Sequence, residues 1–168
     1  GSEMCIRDRS RIINFDQVFS DIKKNIYLIE QKINFTFKET ILILSNFNCS
    51  FVNLSGFKKL NGSQILKDNI TYILNSLKAN VDETENKKSI LHIFNSKYIL
   101  DKKEIKNLPI GLFGDFYSHE LSFCLINNND YKSLKSIFEE CNLKIKKIFL
   151  KSYVEGSYIS KKNKDIET

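Results

Sequence analysis

The residues that most narrow the possible fold are Ile90 to Gly114, ILHIFNSKYILDKKEIKNLPIGLFG, where an apolar run meets a charged turn and then the only proline of the chain. Ile90, Leu91, Ile93, Phe94, Tyr98, Ile99 and Leu100 are mostly β-branched or aromatic, the make-up of a strand buried on at least one face. Asp101 to Lys106 reads as a solvated, charged segment. Pro109 then restricts the backbone while Gly111 and Gly114 loosen it, which predicts a structured loop feeding a second strand, Tyr117 to Ile126.

Hydrophobic periodicity supplies the other elements. Val18, Phe19, Ile22, Ile26, Ile29 and Ile33 recur at steps of three and four, so Asp16 to Lys32 is read as an amphipathic helix, followed by a strand at Thr40 to Leu44. Ser45 to Leu54 is an irregular strand-like segment ending in an expected turn at Ser55-Gly56. Ile65, Leu66, Ile70, Ile73, Leu74 and Leu77 place a helix over Ser63 to Leu77, with Ser63 as N-cap. A polar connection runs from Lys78 to Ser89. A third helix covers Asp130 to Cys141, closed by Asn142 in the left-handed region, and Ile145 to Leu150 is the last strand. The class is α+β: a small sheet with two helices, attached to a partial α/β lobe.

At 168 residues and 42% hydrophobic content, the chain holds one ordinary core or two small ones. Its longest apolar runs fall far short of the roughly 20 residues that cross a bilayer. Cys5, Cys49, Cys124 and Cys141 lack any C-x-x-C spacing, which argues against a zinc site or a disulfide frame and fits a reducing cytoplasm. GSEMCIRDRS, residues 1–10, has no periodicity, looks like the translated remnant of a sequencing adapter and is set aside from the fold; the native polypeptide is expected to begin upstream. Catalysis finds no footing. His92 and His119 lie in strands with no nucleophile motif beside them and are read as structural or solvent-facing, and the acidic neighbours Glu139-Glu140 cannot share a helix face. The net charge of +6 leaves a nucleic-acid or anionic-surface reading open, but the basic residues are dispersed, with Lys144, Lys146 and Lys147, then Lys161, Lys162 and Lys164, as the densest groups.

The opening stretch resembles the central signature of the bacterial cell-division family FtsA, close to I-L-H-x-x-P-x-x-Y-x-x-D, then I-x-N-P-x-G and a hydrophobic residue before x-G. His92, Tyr98, Asp101, Ile105, Asn107, Pro109, Gly111 and Gly114 match it. Asn95 stands where the family commonly has proline, and Leu108 separates Asn107 from Pro109. The resemblance covers roughly Ile12 to Asp165. It implies a strand-helix-strand-strand module, residues 56–149, inserted in a partial actin-like lobe made of residues 11–55 and 150–168.

From the family, ATP is expected for the complete protein. The six glycines of this chain form neither of the two phosphate loops that actin-like ATPases use, so no cofactor, catalytic or metal site is expected in the chain itself. The resemblance implies a non-enzymatic assembly module at the cytoplasmic face of the inner membrane, at the division septum. Its expected partners are neighbouring FtsA subunits and later divisome proteins such as FtsN, with FtsZ and the membrane engaged through parts absent here and no nucleic acid. A PilM-like pilus-assembly role is the alternative within the same superfamily, and a basic nucleic-acid-binding module is the alternative outside it. Candidate interaction residues are Lys102, Lys103, Asn107, Pro109, Gly111, Gly114 and Tyr117, together with the strand Tyr117 to Ile126, read as a sheet edge open to β-augmentation.

Overall fold

The computed structural model describes residues 15–45 and 47–156. The leader at 1–10, Cys5, Asn46 and the Lys161, Lys162, Lys164 group lie outside the described residues. The element order is α1 (Phe15–Ile33), β1 (Glu39–Leu44), β2 (Cys49–Lys59), α2 (Lys67–Thr84), β3 (Lys88–Leu100), β4 (Lys103–Ile105), β5 (Phe116–Asn127), α3 (Asn128–Glu140) and β6 (Lys144–Leu150). The protein is α+β, and it divides into two compact units, Cys49–Asn127 and the segments that flank it.

The flanking unit is built on a two-stranded parallel sheet in which Leu42 faces Ile148 and Leu44 faces Leu150. Among its described residues, Leu42, Leu134, Ile137, Leu143, Ile148 and Leu150 are buried. α1 follows its expected periodicity but buries no residue, and Ile29, Ile33, Ile41 and Ile43 are all about half exposed. Asn142 takes the left-handed conformation at φ 58°, as anticipated, and the Leu143 N–H donates to the Phe138 carbonyl at 2.8 Å to close α3. β6 pairs with β1, so α3 and β6 belong to this unit and not to an inserted module reaching residue 149.

The central unit is a four-stranded antiparallel sheet in the order β2-β5-β3-β4, with α2 across one face. One helix, not two, covers it. Val52 and Leu54 of β2, Leu121, Phe123 and Leu125 of β5, and Ile90, Ile93 and Leu100 of β3 meet Ile73, Leu77 and Val81 of α2 in one core. Alternation along β5 puts Tyr117, His119, Leu121 and Phe123 on that face and Phe116, Ser118, Glu120 and Ser122 on the other.

Three local expectations change. Ser55-Gly56 is not a turn: β2 runs straight through it, and Gly56 is there because a Cβ would sit 2.6 Å from Ile73 Cγ2. α2 begins at Lys67 and not at Ser63, because Ile65 is bonded in both directions to the proline loop, donating to Leu112 at 2.8 Å and accepting from Gly111 at 2.9 Å. It also runs past Leu77 to Thr84, since Val81, one turn on, continues the buried stripe. Asp101 and Lys102, both at positive φ, make a two-residue turn, and Lys103–Ile105 folds back on Tyr98, Ile99 and Leu100 as β4.

Candidate protein-interaction surface

The proline loop is held by the segment ahead of α2. Leu60 donates to the Asp115 carbonyl at 2.8 Å, Gly62 to Gly114 at 3.1 Å, Ile65 to Leu112 at 2.8 Å, and Gly111 returns a bond to Ile65 at 2.9 Å. The Gln64 side chain adds a bond from Nε2 to the Gly111 carbonyl, also at 2.9 Å. Gly111 holds φ at +90°, a conformation that L side chains rarely adopt. Pro109 is fully buried beneath this lacing.

At the other end, Asp101 acts as a clamp. Its carboxylate Oδ1 accepts from the N–H groups of Asp115 at 3.0 Å and Phe116 at 2.8 Å, while its own N–H donates to the Phe116 carbonyl at 2.9 Å. The turn chemistry and the loop closure therefore meet in one side chain. Gly114 is required beside it: a Cβ there would lie 2.5 Å from Leu100 Cδ1 and 2.8 Å from Asp101 Oδ2.

The candidate residues separate accordingly. Lys102, Lys103 and Asn107 are exposed, Gly111 and Gly114 are half-buried, and Pro109 and Tyr117 are buried. Tyr117 is 0% exposed, and burial, with a smaller contribution from Tyr98, pushes its phenol up to about 12. β5 is also not an edge. It pairs with β2 along one side and with β3 along the other, so its backbone is not open for β-augmentation. Among the described residues, the free sides belong to β2 and, over most of its length, β3.

The sequence reading did not pick out what the loop displays. Leu108, Ile110, Leu112 and Phe113 are all exposed, Phe113 at 69%, around the buried Pro109. Alternation of large apolar residues about a proline was the available signal. A rigid backbone carrying several outward apolar side chains suits protein contact, because little conformational freedom is lost on binding.

His119 is buried on the core face, with Nε2 3.0 Å from Asn95 Oδ1 and its ring 4.8 Å from that of Tyr98. Asn95 thus has a structural task at the position where the resemblance expects proline. Burial lowers the pKa of both His119 and His92. The Cys49 and Cys124 thiols hydrogen-bond to each other, and burial raises both pKa values, Cys124 to about 12, which makes them poor nucleophiles. Among the described residues, no group of three or more His, Cys, Asp or Glu is placed to hold a metal, and no helix is long and apolar enough to cross a membrane.

No protein-family model matches the chain. It is similar to the cell division protein FtsA of Buchnera aphidicola subsp. Schizaphis graminum, 27% identical over 142 residues that cover 84% of this chain and 33% of that protein. It is similar also to the cell division protein FtsA of Buchnera aphidicola subsp. Acyrthosiphon pisum, 25% identical over 142 residues with the same coverage, 84% and 33%. The chain spans about a third of the length of these curated relatives. Over the 142 matched residues, which make up most of its length, the chain is FtsA-like.

Proposed function

We propose that the protein works in bacterial cell division as a protein-protein interaction module of FtsA type. The observation that carries this reading is the match to two cell-division proteins over 84% of the chain. The central unit adds support, because β2, α2, β3 and β5 follow the strand-helix-strand-strand order that the resemblance implies.

In this reading the flanking unit is part of an actin-like lobe, and the complete protein binds ATP elsewhere, links the FtsZ ring to the membrane and recruits later division proteins such as FtsN. It acts at the cytoplasmic face of the membrane at the septum. The chain itself contributes contacts, to neighbouring subunits and to division partners, and no catalysis. Leu108, Ile110, Leu112 and Phe113 are the contact residues, with Lys102, Lys103 and Asn107 on the same exposed loop and turn. Both relatives named above are cell-division proteins, which favours this role over pilus assembly. Nucleic-acid binding is disfavoured because the basic residues are dispersed along the chain, and Lys146 of the densest described group is paired with Glu39.

A chimera tests the proposal. Exchanging the matched segment of FtsA from a cultivable bacterium for this chain should sustain division when the native copy is depleted, and Phe113→Asp in the chimera should lower that support at unchanged abundance. A stable, abundant chimera that leaves cells filamentous would overturn it.

A further inference from the structure

We propose that an open groove in the flanking unit, between α3 and β6, receives an acidic peptide segment of a partner protein, with carboxylates at Lys38 and Lys144 and an apolar side chain on the groove floor. The groove is separate from the proline loop, and the proposal stands whether or not the chain acts in division.

The groove follows from the short passage between the two elements. Asn142, left-handed at φ 58°, turns the chain from α3 into β6. Tyr131, Lys135 and Glu139 recur at every fourth position of α3 and share one wall, and Ile145 and Ile148 of β6 supply the other. Leu143 and Ile148 are buried and make the floor apolar. The space enclosed is about 500 Å³, within the roughly 300–1,000 Å³ of clefts that take small ligands. It has room for a few side chains and not for a folded domain.

The charges select the occupant. Three lysines and one glutamate line the groove. Lys135 reaches Glu139 at 3.6 Å, which offsets both charges. Neither Lys38 nor Lys144 takes part in an ion pair among the described residues. The Lys144 N–H donates to the Lys38 carbonyl at 2.9 Å, so these two cations are held on neighbouring backbone beside one groove. Like charges so placed repel each other, and an anion between them removes that cost. The carbonyl end of α3 opposes an anion only weakly, because the Asn142 and Leu143 N–H groups already bond to the Glu139 and Phe138 carbonyls.

Other anions use less of the site. A free phosphate leaves the apolar floor uncovered. A nucleic-acid strand carries a negative charge at every nucleotide and brings one of them against Glu139. A peptide that mixes acidic and apolar residues satisfies the two ammonium groups and also covers Leu143, Ile145 and Ile148.

Fluorescence anisotropy of a labelled GEEFDELG peptide, titrated with the full chain at about 50 mM salt so that screening is modest, tests the proposal. The dissociation constant should be about 100 μM or tighter. Lys38→Glu and Lys144→Glu, both at exposed positions where the circular dichroism should not change, should each weaken binding at least about fivefold. Lys147→Glu alters net charge equally but lies on the same strand outside the groove, and it should leave affinity within about twofold. A peptide with alanine in place of its phenylalanine and leucine should bind at least about fivefold more weakly. An oligothymidine of about fifteen nucleotides should not displace the peptide. Absence of binding, an equal loss with Lys147→Glu, equal affinity for the alanine peptide, or displacement by the oligothymidine would each overturn the proposal.

Discussion

His119 illustrates how much a single residue depends on its neighbours. Its ring is enclosed on the core face by Tyr98 and Tyr117, and Asn95 Oδ1 faces Nε2, so Nε2 is the protonated nitrogen and Nδ1 is buried without a partner. A second proton would have to go to that bare nitrogen. The folded pKa is therefore below the unfolded value of about 6.5, in the direction that burial imposes. Between the two pKa values the unfolded chain binds more protons, so this stability is complete above about pH 6.5 and falls as the pH drops toward the folded pKa. His92 is shifted the same way and adds to the effect. The urea midpoint should thus decrease from pH 7.5 to 5.5, and His119→Gln should remove much of that slope; an unchanged slope in the variant would refute the assignment. From the sequence both histidines were read as structural or solvent-facing, and burial decides for the first. Asn95 as the partner was not, because 24 residues separate it from His119 and only the β3-β5 register brings them together.

Among the elements, β2 shows where local signals mislead. Ser55-Gly56 has turn composition, yet the strand continues because α2 packs so closely on it that only glycine fits. Gly56→Ala should destabilise the protein by about 1–3 kcal/mol through overpacking against Ile73, measured by urea unfolding. Pairing it with Ile73→Ala, which removes the Cγ2 in the way, should cost less than the sum of the two single losses; additive losses would count against this account. The loop from Asn107 to Gly114 differs in kind. Its proline and glycines announced a structured connection, whereas the strap at Leu60 to Ile65 that secures it is visible only in the backbone hydrogen bonds. Pro109 and Gly114 serve that packing, and Ile110, Leu112 and Phe113 between them stay exposed.

For the whole molecule, the two units differ in how much they bury. The central unit has a core of ten buried residues spread over β3, β5, α2 and the Leu60 to Ile65 strap, with Val52 and Leu54 of β2 packed against it, whereas α1 in the flanking unit buries none. Amide hydrogen exchange should therefore be slowest in β5, which is bonded on both sides, and faster by several orders of magnitude in α1, whose opening disrupts little apolar packing. Equal protection in α1 and β5 would contradict this. The parallel pair β1-β6 carries Ile41 and Ile43 about half exposed, although parallel sheets are ordinarily covered on both faces.

The sequence by itself determined the three helices and the strands other than β4, the α+β class, the apolar stripes of α1 and α3, the left-handed Asn142 and the likeness to FtsA, because each of these follows from spacing or identity within a short window. Only the tertiary structure decided that β5 is central and β2 an edge, that β6 joins β1, that Tyr117 and Pro109 are buried, and that Asp101 closes the loop. Strand order and burial depend on which distant segments come into register, and that choice is made by summed packing over the whole core and not by any one stretch of residues. The same reason moves the sheet edge from Tyr117 to Ile126, where the sequence reading had placed it, to Cys49–Lys59, where the pairing among the described residues leaves one side free.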